Sequence, residues 1–102
     1  MMMAADSSHT PPSRLDDETM SMVRGALRAY LADASDPTEL RAALLRMSAE
    51  ARARSMLPEQ LLVLLKDTWN ALPEVRGTSD AVEQIRLLQR VVTMCIKEYY
   101  GT

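Results

Sequence analysis

Residues 36–73 read DPTELRAALLRMSAEARARSMLPEQLLVLLKDTWNALP, and the punctuation of this stretch decides the fold class. Asp36 offers an N-cap side chain, Pro37 a ring suited to the first helical position, and Glu39 an acid three residues beyond the cap. The spacing predicts a helix starting at Pro37. Leu40, Leu44, Met47 and Ala51 share one face of it, while Leu45, Ala49 and Met56 recur on nearly the opposite face, so two neighbours are expected. Pro58 followed by Glu59 restarts a helix that runs to about Leu72, where Pro73 stops it. Leu61, Leu62, Leu65, Trp69 and Leu72 form its broad apolar side, against a wet side of Lys66, Asp67 and Asn70. The Leu-x-x-Leu-Leu spacing from Leu61 to Leu65 reads as a buried face, which places this segment at the expected centre of the core.

Working outward, Met20, Val23, Leu27, Tyr30 and Leu31 recur at steps of three and four, and predict a helix from about Asp17 to Ala32. Asp16, Asp17 and Glu18 stand where the positive end of its dipole favours anions. On the other side, Pro73 to Ser79 reads as the longest internal loop. Asp80 and Glu83 form a capping pair for a last helix over Ala81 to Tyr100, with Gly101 as its stop. Residues 1–14 carry Ser, Thr and Pro without an apolar repeat and are expected to form a disordered tail. Residues 15–102 are then a single helical domain.

Composition agrees. The 102 residues include 14 Leu, 13 Ala and 8 Met, but no Phe and only 2 Ile, a helix-forming inventory that excludes an all-β domain. The fold class expected is all-α, a compact bundle of three or four helices. With 12 basic against 14 acidic side chains the net charge is −2, and no tract is dominated by Lys and Arg. The longest apolar run, Leu61 to Leu65, is far too short to cross a bilayer. Residues 1–12 lack the basic start and apolar stretch of a secretory signal, so a cytoplasmic location is expected.

Cys95 is the sole cysteine and His9 the sole histidine, so one chain cannot assemble a disulfide, a cysteine metal cluster or a Cys-His nucleophilic pair. Gly25, Gly77 and Gly101 are isolated and form no phosphate-cradling loop. No catalysis, metal, cofactor or small-molecule substrate is expected. Cys95, set in an apolar stripe, reads as a small buried hydrophobe.

The last helix carries the expected site. Ala81, Ile85, Leu88, Val92, Cys95, Ile96 and Tyr99 project onto one face, and Leu87, Val91 and Met94 form a second stripe at i, i+4 and i+7. A small bundle often cannot cover two faces of its terminal helix, although the first or second helix packing on this stripe would complete the bundle within one chain. Leu87, Val91 and Met94 with Tyr100 are therefore the expected anchors for a protein partner or a second copy, with Arg86 and Arg90 on the rim. Burying the three stripe residues at an interface is worth roughly 4 to 8 kcal/mol before association costs. The function expected is a non-catalytic interaction or regulatory module. The alternative is a small nucleic-acid-associated regulator using Arg41, Arg46, Arg52 and Arg54 of the second helix.

Overall fold

Five helices and no strand occur among the described residues, which in this computed structural model are residues 14–101. They are α1 (Asp17–Ala32), α2 (Thr38–Ala53), α3 (Pro58–Ala71), α4 (Pro73–Arg76) and α5 (Ala81–Tyr100). The fold is an all-α bundle. Apart from Arg14, the expected tail at residues 1–14 lies outside the described residues. No helix among those described is long and apolar enough to cross a membrane.

The punctuation acts as its chemistry requires. Asp36 accepts from the Thr38 amide at 3.2 Å, and α2 begins one residue later than the sequence predicts. At α3 the Gln60 side chain reaches back to accept from the Leu57 amide at 2.8 Å, with Pro58 in the first turn. Asp80 accepts from the Glu83 amide at 3.1 Å and caps α5, which Gly101 ends in the left-handed region at φ 71°. One local expectation is corrected. The segment after Pro73 is not wholly loop, because Pro73 opens the one-turn helix α4.

The centre of the bundle is α2, not α3. It packs against both α1 and α5, whereas α3 leans on α5 and touches α1 only sparsely. Small residues explain the choice. Ala43, Ser48 and Ala51 on the buried face of α2 let two neighbouring backbones come close, between the fully buried Leu40, Leu44 and Met47. Both neighbours share that one side, so the second apolar row expected on α2 is split: Leu45 and Ala49 are exposed, while Met56, beyond the helix end, is buried. Leu61, Leu65, Trp69 and Leu72 of the α3 region still close the core from beyond α5 and α1.

Polar contacts gather the start of α1, the end of α2, the start of α3 and the end of α5 at one end of the bundle. Glu50 of α2 accepts from the Asp16 amide at 2.7 Å, and Arg54 meets the Asp16 carboxylate at 2.5 Å. Arg52 donates to the carbonyls of Glu98 and Tyr99, placing a cation on the negative end of the α5 dipole.

Candidate interaction surface on the last helix

The inner face of α5 is the stripe that the sequence offers to a partner. Leu87 is 7% exposed and Val91 fully buried, and Cys95 completes the row at i+8. Leu87 and Val91 are therefore core residues, unavailable for docking in this fold. The reason is steric. Cys95 packs against the small Ser48 of α2, and Val91 and Leu87 continue the same inward row, whereas Ile85 and Ile96, bulkier than Cys95, stand outside it.

Cys95 is part of this close packing. Burial pushes its thiol up to about 11, outweighing the smaller opposing pull of the Ser48 hydroxyl, so the sulfur stays protonated and unreactive near neutrality.

Turning that row inward turns the other one out. Val82 is 72% exposed, Ile85 58% and Ile96 38%, with Leu88, Val92 and Tyr99 half-buried beside them. Val82, Ile85, Gln89, Val92, Ile96 and Tyr99 follow one another at steps of 3, 4, 3, 4 and 3 residues. This is the a/d repeat of a helix–helix seam, with a polar Gln89 at one a position. Lys66 of α3 borders it, and together with Ile85, Leu88 and Val92 it lines a groove between α3 and α5. The stepwise spacing was available as a signal in the sequence. What the sequence lacked was any sign of which of two apolar rows faces inward.

The remaining expected residues are not brought together on one surface. Tyr100 is exposed at the far end of α5, packed edge-on against the Tyr99 ring at 5.2 Å between centroids. Arg86, Arg90 and the half-buried Met94 lie on the opposite flank of α5, where they border an open cleft of about 520 Å³ against the end of α1 and the α1–α2 turn.

Three of the four arginines of the α2 segment are engaged within the molecule, while Arg41 is exposed. Arg46 faces Glu18 and the Met22 sulfur, Arg52 the end of α5, and Arg54 both Asp16 and Glu50. They form no common basic stripe. Comparison of the chain with family models, with curated proteins and with solved structures finds no match in any of the three.

Proposed function

We propose that this chain is a non-catalytic, cytoplasmic interaction module that docks a helix of a partner protein along the outer stripe of α5. One observation carries the reading: a seam with 3-4 spacing runs the length of a 20-residue helix, and its outermost apolar members face solvent. A stripe repeating every 3.5 residues is matched by another helix, whereas a flat surface would not need that period.

The flank of the stripe indicates the partner's chemistry. Arg86, Arg90 and Lys97 lie beside it on the α5 surface, opposed by Glu83. A partner helix with an apolar seam and an acidic border is complementary to that flank. An antiparallel second copy is less so, because two-fold pairing would set this basic flank against itself. Burial of Val82, Ile85 and Ile96 would contribute roughly 1 to 2 kcal/mol each, before association costs.

Photocrosslinking in the chain's own cells tests this. A benzoylphenylalanine placed at Ile85 or Ile96 should give an adduct with one helical, acid-bordered segment of another protein, and one placed at Asn70 should not. Equal adducts at all three positions would overturn the reading, and an adduct between two α5 helices would replace the partner by a second copy.

A further inference from the structure

The cleft on the other flank of α5 has the construction of a ligand site. Tyr30 lines it from α1, with the residue only 3% exposed, yet no described residue accepts a hydrogen bond from its hydroxyl. A buried phenol ordinarily finds a partner. Tyr30 is thus a nearly buried phenol in the wall of the cleft.

The rest of the cleft is divided by chemistry. Arg86 and Arg90, one helical turn apart, border it from α5, while Met94 and Pro37 supply apolar surface. Arg86 has only the exposed Glu83 at 3.6 Å, and Arg90 forms no ion pair among the described residues. The acids of the neighbouring turn are occupied locally. Asp33 accepts from the amide and hydroxyl of Ser35, and Asp36 accepts from the Thr38 amide. The volume, about 520 Å³, falls in the range of small-molecule sites, which is roughly 300 to 1,000 Å³.

We infer that this cleft binds a small organic anion, whose carboxylate or phosphate head is held by Arg86, Arg90 and the Tyr30 hydroxyl while its apolar body lies on Met94 and Pro37. The two guanidinium groups are positively charged and only donate, and the phenol can add a third donated bond, a set that suits an anion and repels a cation. The apolar floor selects against a bare inorganic ion. The cleft shares Gln89 with the outer stripe of α5 and Arg86 and Arg90 with its flank, but a small anion is read separately from crosslinking at Ile85 and Ile96.

The test is a titration of the isotope-labelled full chain with hexanoate, hexyl phosphate and hexan-1-ol, followed by amide chemical shifts. At least one anion should move the amides of Ser35, Arg90 and Met94 in a saturable way, at about one tenth of the hexan-1-ol concentration needed. Comparing the two anions identifies the preferred head. Added salt should weaken the anions and spare the alcohol. Arg90→Gln, at an exposed position, and Tyr30→Phe, which keeps the ring, should each weaken anion binding by roughly three- to tenfold. Equal binding of the alcohol, shifts confined to the α3–α5 groove, no saturable shift with either anion, or an Arg90→Gln chain that binds like wild type would each overturn the inference.

Discussion

Tyr99 of α5 donates its hydroxyl hydrogen bond to the backbone carbonyl of Met56 at 2.8 Å, tying the end of the last helix to the turn between α2 and α3. That turn is sharp. Ser55 takes φ 60°, in the left-handed region, and Met56 is folded back into the core with its amide bonded to the Ala51 carbonyl at 2.8 Å. A residue 43 positions away therefore holds the junction that the Leu57-Pro58 step makes tight. The Arg52 guanidinium, 6.0 Å from the Tyr99 ring centroid, adds a cation over the same ring.

Two substitutions at this junction should move stability in opposite directions. Tyr99→Phe removes the donor but keeps the ring, and should cost about 1 kcal/mol. Ser55→Gly relieves a left-handed Cβ and should gain up to about 1 kcal/mol, reduced by the extra freedom of glycine in the unfolded chain. Urea midpoints at constant slope measure both. A Tyr99→Phe chain as stable as wild type would show that the hydroxyl bond contributes nothing net.

Glu50 should behave as the N-terminal cap of α1 although it belongs to α2. Its carboxylate accepts from the Asp16 amide at 2.7 Å and from the fully buried Thr19 hydroxyl at 2.5 Å. Glu50→Ala leaves that hydroxyl without its acceptor and should cost about 1 to 3 kcal/mol. In the background of Thr19→Val, a change that removes the stranded donor, the same substitution should cost less. Chemical denaturation of the four chains gives the coupling, and strict additivity would count against a shared polar site.

The two rows of α5 should separate cleanly in stability. Val91→Asp puts a carboxylate into a fully buried position and should unfold the chain, whereas Ile85→Asp, at a side chain 58% exposed, should stay within about 0.5 kcal/mol of wild type. Circular dichroism during thermal unfolding reads both. The reverse pattern would mean that the helix is rotated by half a turn from the position described.

The sequence disclosed the helices far better than their faces. Pro37, Pro58, Pro73 and the Asp80 cap act through a few neighbouring residues, so Asp17–Ala32 and Ala81–Tyr100 could be placed to the residue. Which side of α5 goes inward depends on the width of its neighbour. Leu87 and Val91 look like spare apolar surface until α2, distant in sequence, is known to pack against α5. The same holds for Glu50 and Thr19, whose pairing needs α1 and α2 side by side. Arg86, Arg90 and Met94 read in the sequence as contacts for a partner helix, not as the border of a cleft. Tyr30, which closes their cleft from α1, was legible only as a member of an apolar face.

Alkaline pH should destabilise the fold through Cys95. In the unfolded chain the thiol titrates near its ordinary value of 9.0, and in the folded chain burial holds it up to about 11. Below pH 9 both states keep the proton and the group has no effect on stability. Between the two values the unfolded chain releases a proton that the folded chain retains, so stability falls as pH rises, by at most about 1.4 kcal/mol per pH unit. Above about pH 11 both states are ionised and the loss levels off. Tyrosines and lysines titrate in the same range, so the informative quantity is the difference between wild type and Cys95→Ala. Measured by urea unfolding from pH 8 upward, the variant starts less stable because of the space it leaves beside Ser48, and the gap should close as pH rises. Parallel curves would mean that the folded thiol ionises as freely as the unfolded one, which is incompatible with a closed α2–α5 contact.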